Sequence, residues 1–189
     1  MRLFLDGLYK VSGWAAAFFI FAICAVVIAQ VFLNLVDRVF GSVFDGAIGL
    51  TIPSYADFTG FFLAAASFLA LAYTLREGGH IRVSLLLHNL PLKVQHAFEI
   101  WCLSLVAAIT LYFTYYTGSL VYESWSYGDL SSGMVAVPIW IPQSSILVGA
   151  GILAIALIDE LVCVISGGKA SYEGKGENLL GDSDEGASS

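Results

Sequence analysis

AAAFFIFAICAVVIAQVFL, residues 15–33, carries a single strongly polar side chain, Gln30. As an α-helix rising ~1.5 Å per residue, such a run nearly covers a bilayer hydrocarbon core of ~30 Å, so it reads as a membrane crossing. With its flanks the span covers about 12–36, and Asn34 is its only other strongly polar residue. Comparable apolar runs follow at about 55–75, 97–121 and 142–165. In lipid every backbone N–H and C=O needs an internal partner, so all of these are predicted as helices. The expected fold is an all-α membrane protein of four transmembrane helices in a bundle, with short amphipathic interfacial helices.

Composition agrees. Of 189 residues, 58% are hydrophobic and 12% charged, about half the charged share of an ordinary soluble domain. A soluble globule is excluded. The chain divides into a four-helix membrane domain, 1–166, and a Gly/Ser-rich acidic tail, 167–189, predicted to be disordered and cytoplasmic. Five of the fifteen acids lie in that tail, so the formal charge of -7 reports a solvated segment rather than a cationic partner. No nucleic-acid partner is expected.

Arg2 and Lys10 precede the first span and superficially resemble the start of a secretory signal. The apolar run is too long for a signal core and no small-x-small cleavage site follows, so the segment is kept as the first helix. Cys24, Cys102 and Cys163 lie in apolar runs without a CxxC pair and read as buried small hydrophobes.

Seven of the eight basic residues share one side: Arg2, Lys10, Arg76, Arg82, Lys93, Lys169 and Lys175, with Arg38 alone on the other. The positive-inside rule then puts both termini in the cytoplasm of a bacterial or archaeal cell, with the chain multi-pass in its inner membrane. Tyr112, Tyr115, Tyr116, Tyr122, Trp125 and Tyr127 crowd the end of the third span, and Trp140 precedes the fourth. Such rings favour the headgroup level, so they are expected to mark the outer interface.

The connections are patterned. In DRVFGSVFDG, residues 37–46, apolar and polar residues separate at helical spacing, which predicts a surface helix or an extension of the first span. Val83, Leu86, Leu87 and Leu90 predict a flat helix on the inner side, with Pro91 in the first turn of the next helix. Leu3, Phe4, Leu8 and Val11 suggest a third flat helix. Small residues at Gly60, Ala64, Gly149, Ala150, Gly151 and Ala154 permit close helix approach, within the chain or against a partner. No internal repeat is evident, which weighs against a transporter built from inverted halves.

Three places could carry chemistry. Gly78, Gly79 and His80 lack the GxxxxGK[ST] context of a nucleotide loop and read instead as a helix end, with Arg76 near the negative pole of the helix dipole. His80, His88 and His96 are eight apart in one inner connection, a poor arrangement for iron held inside a bundle, and a membrane haem subunit is the alternative they leave open. Asp57 lies near the outer start of its span and Glu99, Asp159 and Glu160 near inner ends; the inner three suit pairing with Arg82, Lys93 or Lys169 better than ion transport, and a small four-helix exporter would need an essential acid in a span, of which the first has none. No catalytic, cofactor or metal residue is assigned. In YESWSYGDLSSGMVAVPIWIPQ, residues 122–143, exposed rings and acids beside Pro138 and Pro142 suit either membrane anchoring or docking of a periplasmic protein. The docking candidates are Arg38, Asp45, Glu123, Trp125, Asp129 and Trp140.

RxGxHIxV at Arg76, Gly78, His80, Ile81 and Val83, then Leu90 and Pro91, resembles the small membrane subunit, DctQ-like, of tripartite ATP-independent periplasmic (TRAP) transporters. GMVAVPIWIPQSSILVGAGILAIALIDEL, residues 133–161, resembles that family's entry into its final helix. Ser84 stands where the family usually has Asp, and Asp57 where it commonly has Glu. The resemblance implies a non-enzymatic scaffold that braces a large elevator-type membrane subunit. That subunit would hold the sodium, a periplasmic solute-binding protein would capture an organic acid, and Arg76, Gly78, Gly79, His80, Arg82 and Pro91 would form a structural inner-loop motif. Membrane lipid is the further partner expected.

Overall fold

The computed structural model describes residues 2–44, 49–77 and 92–166. Four helices hold most of them: α1 (Arg2–Phe44), α2 (Tyr55–Arg76), α3 (Leu92–Tyr127) and α4 (Trp140–Ile165). Each is long and apolar enough to cross a membrane. The only strand-like pairing among the described residues is an isolated bridge between Leu130 and Pro138.

The helices come in two lengths. α2 and α4, with 22 and 26 residues, rise ~33 and ~39 Å, close to a membrane thickness. α1 and α3, with 43 and 36 residues, rise ~64 and ~54 Å and outrun it. The expected flat helix at Leu3, Phe4, Leu8 and Val11 is therefore not separate; it is the first part of α1. Continuity follows from one stripe: Leu5, Tyr9, Ser12, Ala16 and Phe19 recur at helical spacing and all turn inward. At the other end α1 continues to Phe44, so DRVFGSVFDG extends the first span as far as the described residues reach. The expected inner helix at 83–90 lies outside the described residues, as do the tail, Asp45, Gly78, Gly79, His80, Arg82 and Pro91.

Packing corrects the expected bundle. α1 lies on α2, α2 on α4 and α4 on α3, with α1 meeting α4 only briefly. The result is a row rather than a closed four-cornered bundle, with α2 and α4 inside it. Burial follows the row, since 22% and 39% of the spans of α2 and α4 are covered against 11% for α1 and α3.

Small residues make the row tight. A Cβ at Gly149 would stand 2.6 Å from the carbonyl carbon of Phe68, so α4 meets α2 backbone to side-chain-free backbone. One at Gly13 would stand 2.9 Å from Tyr73 Cγ, which brings α1 against α2. Ala65, Ala66, Ala72, Ala150, Ala154 and Ala156 are buried along these seams. Gly60 and Gly151 face open space, so the small residues are only partly used within the chain.

The register of α3 moves the aromatic residues. Leu103 and Ala107 pack with Leu157 and Val164, and Gly118 lies 3.6 Å from Leu147 Cδ1, which fixes an antiparallel pairing. Phe113 stacks on Phe68, ring centroids 5.7 Å apart, and Phe68 abuts Gly149. Tyr112, Tyr115 and Tyr116 are therefore level with the middle of α2 and α4, not with their outer ends. Only Tyr122, Trp125 and Tyr127 reach the height of Trp140 or pass it. The sequence reading ended this span near 121, six residues short of Tyr127. Cys24 is exposed and Cys102 and Cys163 are half-buried, rather than buried as expected.

Candidate functional site

Functional side chains gather at the two ends of the row. At the basic end, α2 finishes with Arg76, and Glu77 follows as a C-cap whose N–H donates to Tyr73 O at 3.0 Å. The Arg76 guanidinium forks. Nη2 pairs with Asp6 of α1, and Nη1 donates to Asp159 Oδ2 of α4 at 3.4 Å. Its carbon also lies 5.5 Å from the centre of the Tyr9 ring. One cation thus ties three helices, which suits a planar guanidinium and not a lysine. The side chains of Arg76, Asp6 and Asp159 are 18%, 38% and 25% exposed, so the chain covers the cluster only in part.

Beneath it lie Tyr9, 1% exposed, and Glu160, buried and itself engaged. Ser12 Oγ donates to Leu69 O at 2.5 Å one turn deeper, closing the α1–α2 seam. Sequence reading singled out Arg76 and Asp159 but paired the acid with other cations. Asp6 and Tyr9 were missed because the first span was begun at Ser12. Their signal was present, since Asp6, Tyr9, Ser12 and Gly13 continue one helical face into Ala16.

The opposite end relies mainly on neutral groups. Gln30, buried within α1, donates from Nε2 to Asn34 Oδ1 at 2.9 Å and Thr51 Oγ1 at 3.0 Å, and its Oε1 accepts from Ile52 N at 2.8 Å. Gly49 N donates to Asp37 Oδ1 at 2.8 Å. These bonds hold the end of the α1–α2 connection against α1, satisfying backbone that no helix satisfies.

From there contacts run on to the α3–α4 connection. Ser54, left-handed at φ 57°, accepts from Val135 N on its Oγ at 2.9 Å. Gly133 crowds the Asp57 carboxylate, where any Cβ would collide. Asp57 sits in the first turn of α2, facing the positive pole of its dipole. The connection itself folds back through Ser131 N to Val137 O at 2.8 Å and Ile139 N to Asp129 O at 3.0 Å. Pro142 falls in the first turn of α4, where its missing N–H costs nothing.

The docking candidates do not form one patch. Arg38 is exposed on α1, at one edge of the row, while Glu123 and Trp125 are exposed on α3 at the other. Asp129 is exposed in the loop between. Trp125 and half-buried Trp140 do converge, lining a shallow apolar groove of about 300 Å³ with Gly118, Val121 and Tyr122. Of the histidines, only His96 is among the described residues, exposed on α3.

No charged residue falls between Lys10 and Asp37, Asp57 and Arg76, Glu99 and Glu123, or Trp140 and Asp159. The centre of the row therefore carries no charged side chain among the described residues. This arrangement fixes helices to one another and leaves surfaces open.

A family model described as "Tripartite ATP-independent periplasmic transporters, DctQ component" matches residues 23–167. No curated protein and no solved structure matches the chain significantly.

Proposed function

The chain belongs to the DctQ component family of tripartite ATP-independent periplasmic transporters, and on that premise we propose that it is a non-catalytic brace for the large membrane subunit. The transporter's elevator domain slides against a scaffold, and this row of helices widens that scaffold. The large subunit carries the sodium coupling and the solute path. A periplasmic protein delivers the solute, an organic acid, and meets the aromatic end of the row near Trp125 and Trp140.

The observation that carries this reading is the Arg76 clamp with the charge-free centre behind it. A carrier needs a titratable or ion-binding group on its path; a brace needs helices that keep their relative positions. Arg76 holds α1, α2 and α4 in one place, and Gln30 and Ser54 hold the other end. Drawing a charged arginine to the bilayer centre costs on the order of 3 kcal/mol, so Arg76 also sets the depth of the row. In this reading the basic end is cytoplasmic, and Arg76 opens the inner-loop motif that continues through Gly78, Gly79, His80, Arg82 and Pro91.

Deletion of the chain from cells carrying the whole transporter tests this. Sodium-driven uptake is expected to vanish while the isolated periplasmic protein binds solute unchanged. Full uptake by the large subunit alone overturns the proposal.

A further inference from the structure

Resting on the functional reading above, we infer that the outer face of α3 around Tyr112, Tyr115 and Tyr116 is where the large subunit docks, through a transmembrane segment that presents hydrogen-bond acceptors at mid-membrane.

The three rings are 66%, 74% and 55% exposed. They touch one another, Tyr112 to Tyr116 at 4.5 Å and Tyr115 to Tyr116 at 5.5 Å between centroids. Among the described residues, none accepts a hydrogen bond from their hydroxyls. Their height is set by their neighbour Phe113, stacked on Phe68 beside Gly149, midway between the Trp140 and Asp159 levels of α4. Headgroups are then ~15 Å away in either direction, beyond the reach of a tyrosine side chain.

Aromatic belts work because the ring lies in hydrocarbon while the hydroxyl is wet. That explanation fails for these three. Lipid tails offer no acceptor, and a phenol left unpaired in hydrocarbon is unfavourable. A neighbouring protein helix can supply carbonyls freed at a break or polar side chains, as interhelical contacts in membranes do. The position on the row also fits. α3 is an edge helix covered by α4 on one side, and among the described residues none covers its far side along the span. On that side Leu105, Ala108, Tyr112, Tyr115 and Ser119 repeat at alternating spacings of three and four, all exposed. This is the spacing by which one helix seats another.

The test uses the chain co-expressed with the large membrane subunit of its own transporter, in native membranes. A photoreactive benzophenone amino acid placed at position 115 is expected to give an adduct of the combined mass of the two subunits. Y112F/Y115F/Y116F keeps every ring and removes only the hydroxyls; retention of the large subunit during purification is expected to fall on the order of tenfold, as three weak interhelical hydrogen bonds would give. Adducts confined to lipid or to a second copy of the chain, or unchanged retention by the triple variant, overturn the inference alone. Failure of the unmodified chain to retain a large subunit overturns the functional reading beneath it.

Discussion

The two ends of the helix row are closed by opposite chemistries. At the basic end a single guanidinium pairs with carboxylates from two other helices. At the aromatic end an amide, a hydroxyl and backbone groups do most of the same work, with the Asp37 carboxylate accepting from Gly49 N. The difference lies in the task of each end. Three helices that meet where their side chains are only partly covered can share one cation between two carboxylates. A connection folded against a helix needs its own N–H groups satisfied, and a neutral amide can both donate and accept. Charge therefore dominates where three helices meet, and neutral polarity, with one carboxylate from Asp37, dominates where loops meet helices.

Removing Arg76 is the largest test of this contrast. Arg76→Ala strands two carboxylates; cutting one member from a buried pair costs about 3–5 kcal/mol, and the partial exposure here reduces that to about 2–3 kcal/mol. Detergent-solubilised protein should unfold earlier, and the gap from the parent should narrow as salt rises and screens the pair in the parent. Gln30→Leu should cost less, about 1–2 kcal/mol, through an unpaired Ile52 N–H and a freed Thr51. Amide exchange at Ile52 should quicken, and the loss should not respond to salt. If both variants answer salt alike, the division between the ends is wrong. Ser54→Ala should be smallest, about 0.5–1 kcal/mol, with faster exchange confined to Val135 and its neighbours. A global loss of protection would show instead that the link between the two connections supports the whole row.

Much of the architecture could be read from the chain. Four apolar runs gave four helices, and Gln30 and Asn34 stood out as the polar exceptions in the first. Their task was not readable, because their partners at 51 and 52 lie beyond a connection whose path is tertiary. Arg76 was singled out, but its acids were not matched to it. Asp6 was excluded by a span drawn from hydropathy, and Asp159 was matched to cations closer in charge pattern than in space. The row escaped detection altogether, since helix order depends on which small residues meet, as Gly149 meets Phe68 and Gly151 meets nothing. Tyrosine depth failed for a related reason. Position along a helix is local, but height in a membrane is set by the neighbour against which the helix is registered.

The length of α1 has a geometric outcome. Its exposed apolar side chains run from Val11 through Phe18, Ile28 and Leu35 to Val39, a ribbon of about 42 Å. Hydrocarbon ~30 Å deep is shorter than that ribbon, a mismatch that helix tilt or local thickening of the lipid takes up. The edge of the row formed by α1 is therefore where helix and bilayer must adjust to one another most.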